Sequence, residues 1–126
     1  MNILIFRSIR PEEMGYVIND IKTLYQKKIK IFVITNFQQS FSMKNIEGVS
    51  EILIYSGKNF TTYKNKENEI KHFKKNFYSK IIIPTNGNID SYKNVYNFAK
   101  KNFNSNDINF YIYPKKLIKI NDNYIF

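Results

Sequence analysis

Apolar positions along this chain alternate between short continuous runs and stripes at helical spacing. Asn2 to Phe6 is a continuous apolar run and predicts a first strand. Arg7, Ser8, Ile9 and Arg10 form a loop that Pro11 closes by taking the first helical position, where its missing N–H costs nothing. Glu12 and Glu13 suit the positive end of a helix dipole. Met14, Val17, Ile18, Ile21, Leu24 and Tyr25 then recur at helical spacing, and Lys27 and Lys28 close the helix with the favourable sign of charge. Ile31 to Ile34 predicts a second strand, followed by the polar stretch Thr35 to Ser40. A short helix is expected over Phe41 to Ile46, with Gly48 just past its end. Ile52 to Tyr55 predicts a third strand ending at Ser56 and Gly57. Thr61 to Tyr78 reads as a strongly charged helix with a buried stripe of Tyr63, Ile70, Phe73 and Phe77.

The segment from Lys80 to Lys101 organises the rest. Ile81, Ile82 and Ile83 mark a strand buried on both faces, and Pro84, with no N–H to give, is expected to end its ladder. Thr85, Asn86, Gly87 and Asn88 make a polar turn. From Asp90 the period becomes helical, with Tyr92, Val95, Tyr96, Ala99 and Phe103 on one face. Phe110 to Tyr113 predicts a fifth strand. Leu117 to Ile120 and Tyr124 to Phe126 flank Asn121, Asp122 and Asn123, a hairpin signal, so residues 113–126 are expected to add a small antiparallel extension.

Strands alternating with helices at this spacing imply a single α/β domain over residues 1–126, with a parallel sheet and helices on both faces. In the strand order 3-2-1-4-5 the first and fourth strands are neighbours at the switch point, where ligand sites of open α/β sheets lie. Arg7, Ser8 and Arg10 then face Thr85, Asn86 and Asn88 across one crevice, with Thr35 and Asn36 beside them at the end of the second strand.

Charge changes this picture only locally. The net charge is +10, and eighteen of the twenty basic residues are Lys. Lys, Asn, Ile, Tyr and Phe share A/T-rich codons, so base composition can supply much of that charge. No RNA-binding signature, basic arm or zinc finger accompanies it, and nucleic acid is not the expected partner. The only two Arg residues, Arg7 and Arg10, both lie in the loop after the first strand. A guanidinium holds carboxylate or phosphate with two parallel bonds, which an ammonium cannot do, and a helix amino terminus adds to the attraction. The loop therefore reads as an anion site, or else as one in which an Arg pairs with Glu12 or Glu13. Thr85, Asn86 and Asn88 suit a polyhydroxy ligand, or serve as turn residues, with Asn88 or Asp90 capping the helix.

Other chemistries find little support. No GxGxxG follows the first strand and no P-loop is present, so no cofactor is expected. No His, Asp and Glu cluster has metal-ligand spacing. Ser8 and Ser91 are the best-placed hydroxyls, but the single histidine, His72, lies off the helical stripe and reads as a surface residue, which argues against a Ser-His-Asp triad. Glu12, Glu13 and Asp90 are the carboxylates nearest the crevice. The chain has no cysteine, which fits a reducing cytoplasm, and no apolar stretch of spanning length or signal peptide is evident.

The stretches NILIFRSIRPEEMGYVINDIKTL, EGVSEILIYSG and FYSKIIIPTNG, in this order, resemble the amino-terminal Rossmann-like half of GT-B glycosyltransferases, most of all the heptosyltransferase-like family nine. The similarity spans about residues 1–115 and implies a three-layer Rossmann-like fold. It implies a domain that receives the acceptor, with the nucleotide-sugar donor held by a carboxyl-terminal half this chain lacks, and so an incomplete transferase. Pro11, Glu12 and Glu13 stand where the family carries a Gly-Asp pair, which leaves Glu12 or Glu13 as the nearest counterpart of the family's base. The expected ligand is a sugar phosphate or nucleotide sugar. Two other readings stand beside it. One is a non-catalytic module that self-associates or binds a partner chain through Phe37, Phe41, Phe60 or Tyr124. The other is a basic nucleic-acid binder using the 61–78 helix.

Overall fold

The computed structural model describes residues 1–25, 28–55, 71, 77–103, 105, 107–112 and 116–119. It is an α/β domain with one six-stranded, mostly parallel sheet and three helices among the described residues. The strands are β1 (Asn2–Phe6), β2 (Lys30–Asn36), β3 (Val49–Tyr55), β4 (Lys80–Thr85), β5 (Ile108–Ile112) and β6 (Lys116–Lys119). The helices are α1 (Pro11–Tyr25), α2 (Phe37–Lys44) and α3 (Lys93–Asn102), and a 3-10 turn over Ile89–Tyr92 leads into α3. The order across the sheet is β3-β2-β1-β4-β5-β6; β1 to β5 run parallel and β6 pairs antiparallel with β5. The parallel part has the expected order. No helix among the described residues is long and apolar enough to cross a membrane.

The two layers of core follow from strand alternation. Leu4, Phe6, Phe32, Ile34, Ile81, Ile83 and Phe110 face one side, where Phe98, Ala99 and Phe103 of the α3 region cover them. Ile3, Ile5, Ile31, Val33, Ile82 and Tyr111 face the other, against Met14, Val17, Ile18 and Ile21 of α1 and Met43 of α2. Crossover handedness accounts for this split. From β1 the chain steps outward to β2 and β3, whereas β4 to β5 steps the opposite way, so right-handed connections place their helices on opposite faces. The α3 side is aromatic: Phe6 meets Phe98 and Phe103 edge-on, at centroid separations of 6.0 and 6.1 Å. Such contacts stabilise by ~0.5–1.5 kcal/mol each beyond their buried area.

Several elements depart from the sequence reading, each for a local reason. Pro84 does not end β4; it lies inside the strand, opposite Tyr111. The Ile81 N–H points to β5, so by alternation the nitrogen of Pro84 points toward β1. There the β1 ladder has already stopped, at the Ile5–Ile82 pair, and the missing donor is not needed. The second helix starts at Phe37, not Phe41, because the Asn36 side chain caps it by accepting from the Gln39 N–H at 2.9 Å. Its end moves to Lys44, and Gly48, at φ +98°, instead turns the chain into β3. The first helix is described over Pro11–Tyr25, with Lys28 non-helical and Leu24 on its exposed side. Phe98, absent from the predicted stripe, is buried.

Phe77 is a further correction. It is 74% exposed and not helical. Its neighbour Tyr78 is buried instead, edge-on to Phe32 and Phe103 at 5.4 and 5.8 Å. The two residues precede β4 outside any helix, where the Ser79 N–H donates to the Asn2 carbonyl at 2.9 Å and Tyr78 is the one directed into the core. Most of the expected 61–78 helix lies outside the described residues, with Tyr63, Ile70, His72 and Phe73, as do Lys27, Ser56, Gly57, Phe60 and residues 120–126 of the expected hairpin. The antiparallel pairing that is described joins β6 to β5.

Two polar contacts tie the layers together. Asp20, on the buried side of α1, accepts a hydrogen bond from the Tyr111 hydroxyl of β5. At the amino edge of the sheet the Lys80 ammonium lies 3.2 Å from an Asp107 carboxylate oxygen and 5.0 Å from the Tyr25 ring centroid. Burial opposes the Lys80 charge, but bonds to Tyr25 and Asp107 outweigh it, and the pKa rises above the ordinary lysine value.

Two outcomes follow. Tyr111→Phe leaves the Asp20 carboxylate buried without its donor, and urea denaturation is expected to show a loss of ~1–3 kcal/mol, largely recovered in Asp20→Leu/Tyr111→Phe. Because the folded pKa of Lys80 is raised, its contribution is fully present below the unfolded value of about 10.4 and is lost as pH rises through the folded one. The stability gap between wild type and Lys80→Met should therefore stay level from neutral pH to mildly alkaline pH and close only above that point.

Candidate functional site

The carboxyl ends of β1, β2 and β4 meet where the strand order reverses, and the loops leaving them diverge toward opposite faces. Arg7 is the first residue beyond β1. Its N–H still continues the ladder, donating to the Ile34 carbonyl at 2.9 Å, so its side chain shares the sheet face of Ile3 and Ile5. There the guanidinium is half-buried. Its Nε donates to Thr35 Oγ1 at 3.1 Å, and Nη1 donates to the Ile9 carbonyl at 3.1 Å. Thr35 is itself fully buried in β2.

A guanidinium has five N–H donors and no acceptor. Two are held by neutral protein oxygens, which fix the plane of the group and leave three for another acceptor. No carboxylate pairs with Arg7 among the described residues; the Lys80–Asp107 contact is the ion pair found there. Burial without a counter-charge lowers the Arg7 pKa from its ordinary value. It remains charged at neutral pH, because an arginine starts so far above that range. The opposed edges of the sheet thus treat their cations differently: Lys80 has an acid partner and Arg7 has two neutral ones.

Ser8 links the two sides of the crevice, with its hydroxyl donating to the Pro84 carbonyl. That bond uses the proton and makes Ser8 an acceptor toward anything in the crevice. Beyond Pro84, Thr85 is buried and its Oγ1 accepts from the Gly87 N–H at 3.2 Å, a turn that Gly87 permits by its φ of +104°. Asn86 Oδ1 accepts from the Asn88 N–H at 3.0 Å, and its amide nitrogen has no partner among the described residues. The Asn86 N–H in turn donates to the Tyr92 hydroxyl at 3.2 Å. Asn88 makes no side-chain cap to the 3-10 turn that follows, and α3 has no side-chain cap either.

The eight residues singled out in the sequence separate on this geometry. Arg7 and Thr35 are joined by a hydrogen bond, and Ser8 bonds instead to the Pro84 carbonyl across from them. Thr85, Asn86 and Asn88 form the adjoining turn. Asn36 serves α2 as its cap, and Arg10 is exposed, with no side-chain partner among the described residues. The start of α1 supplies little to an anion: Pro11 has no N–H, the Glu13 N–H goes to the Arg10 carbonyl at 3.0 Å, and Glu12 and Glu13 bring negative charge. Two participants were not read from the sequence as site residues. The Pro84 carbonyl carries no side-chain signal, and Tyr92 was placed on the apolar stripe of its helix. Among the described residues no group of His, Asp and Glu gathers around a metal-sized space.

Comparison with protein families, with curated proteins and with solved structures gives no match, so the glycosyltransferase resemblance stands on its sequence stretches alone.

The desolvated charge has a measurable consequence. For a base whose folded pKa is lowered, the folded state carries the whole cost at every pH below that pKa, neutral pH included. Arg7→Met removes the charge but also the donors to the buried Thr35 hydroxyl and the Ile9 carbonyl, so the two effects oppose one another and the thermal midpoint is expected to change little. A marked drop in the melting curve would show that Arg7 stabilises the fold through contacts of its own.

Proposed function

We propose that this chain is a ligand-binding domain of the glycosyltransferase-like kind, which takes a phosphate-containing or sugar-phosphate ligand at the carboxyl edge of its sheet. One observation carries the anion part: Arg7 is half-buried, oriented by Thr35 and Ile9, and has no acid partner among the described residues. An oxyanion seated on the three remaining N–H groups forms charge-assisted bonds and cancels the cost of the buried charge. The amide nitrogen of Asn86 adds a neutral donor, and Ser8 adds an acceptor suited to a hydroxyl. The sugar part rests on the resemblance of residues 1–115 to an acceptor-binding half. The reading is one of binding: Glu12 and Glu13 sit exposed on the first turn of α1, and no proton transfer is assigned to them.

Thermal unfolding with inorganic phosphate and glucose 1-phosphate tests it. A ligand at about a hundred times its dissociation constant stabilises by ~2.7 kcal/mol, which raises the midpoint of a domain this size by several degrees. The shift is expected in wild type, absent in Arg7→Ala and only reduced in Arg10→Ala. An equal shift in wild type and Arg7→Ala, or none with either ligand, would remove the site. A short RNA serves as the control for bulk charge, since its effect should fade with salt and ignore the Arg7 substitution.

A further inference from the structure

We infer that the aromatic pair Phe37–Phe41 is a second subsite beside Arg7, and that it takes a planar aromatic group carried on the bound anion, as in an aryl phosphate or a nucleotide. This inference rests on the anion reading above. Its starting point is the chain itself. Thr35, which holds the Arg7 Nε, is followed by the capping residue Asn36 and then by Phe37, the first residue of α2. Two steps of about 3.8 Å keep the Phe37 Cα within about 7.6 Å of the Thr35 Cα. Phe37 therefore begins at the same sheet edge as the guanidinium.

The two rings do not serve the core. Ser40 and Met43 are the residues of α2 that are buried, whereas Phe37 and Phe41 are each 60% exposed. They meet edge to face, with centroids 5.6 Å apart and planes at 78°. That contact fixes both rings while leaving them open to solvent. The Lys44 ammonium lies over the Phe41 ring, 5.6 Å from its centroid. The patch is thus an exposed aromatic pair that starts two residues after the Arg7 partner Thr35 and carries the Lys44 ammonium against Phe41. A flat aromatic group stacks on such a surface and a linked anion satisfies the charge. Charge also argues against a second copy of this chain as the occupant, because molecules carrying +10 repel one another.

Isothermal titration of inorganic phosphate, glucose 1-phosphate and phenyl phosphate separates the two claims. Wild type is expected to bind phenyl phosphate about tenfold more tightly than inorganic phosphate, with no such gain for glucose 1-phosphate. Phe37→Ala should erase the preference and leave inorganic phosphate binding unchanged; its exposure makes loss of folding unexpected, and a melting curve checks that. Phosphate binding without a phenyl preference overturns the aromatic subsite while leaving the Arg7 site intact. A preference that survives in Phe37→Ala overturns it as well. No binding of any of the three removes the anion reading and this inference with it. Sedimentation showing a dimer that Phe37→Ala dissolves, with no phenyl preference, would assign the patch to self-association instead.

Discussion

Strand β1 is hydrogen-bonded on both sides, to β2 and β4, and Ile3, Leu4, Ile5 and Phe6 have no exposure on either face. Each of those side chains contributes ~1.5–3 kcal/mol by leaving water, and together they fix the level at which the neighbouring strands sit. The central position of β1 also makes it the strand from which the connections diverge. Its carboxyl end opens between helices that lie on opposite faces. The residue that follows the buried run, Arg7, is thereby drawn partly into the domain, with the Thr35 hydroxyl and the Ile9 carbonyl as acceptors in place of water.

That placement explains why Arg7 differs from the other cations among the described residues. Apart from Lys80, the described Lys side chains are exposed, where water and salt screen them. Lys80 is partly buried but shares its space with Asp107 and Tyr25. Arg7 has been given neutral partners that orient it and do not neutralise it, an arrangement that costs stability and leaves a directed set of donors. The same edge carries the Ser8–Pro84 link and the Asx-type turn at Asn86, which stiffen the opposite wall. Asp20 and Tyr111 perform a different task. Their buried bond crosses from α1 to β5 and binds the helix to the half of the sheet beyond the switch point.

The larger departures share a cause. Pro84 breaks a ladder only if its nitrogen faces a strand, and whether it does depends on where β1 stops. Asn36 reads as a polar loop residue until the chain's turn away from β2 allows its side chain to reach the Gln39 N–H. Phe77 is the more apolar of the two neighbours, yet Tyr78 is the one buried, so position at the entry to β4 and not hydrophobicity decides which turns inward. β6 pairs antiparallel with β5, at the sheet edge that the parallel strands leave open, a choice that depends on the assembled sheet.

By itself the sequence determined the alternating strand and helix pattern, the buried runs at Ile3–Phe6 and Ile81–Ile83, the parallel order 3-2-1-4-5, and the placing of both Arg residues in one loop. These are local properties: periodicity, β-branching and the chirality of short crossovers act over a few residues or a single connection. Only the tertiary structure decided that Arg7 and not Arg10 is half-buried, that Thr35 orients it and that Ser8 closes onto Pro84. Those contacts join residues 28 and 76 positions apart. Desolvation and charge pairing depend on what is folded around a group, and neighbours along the chain do not specify that.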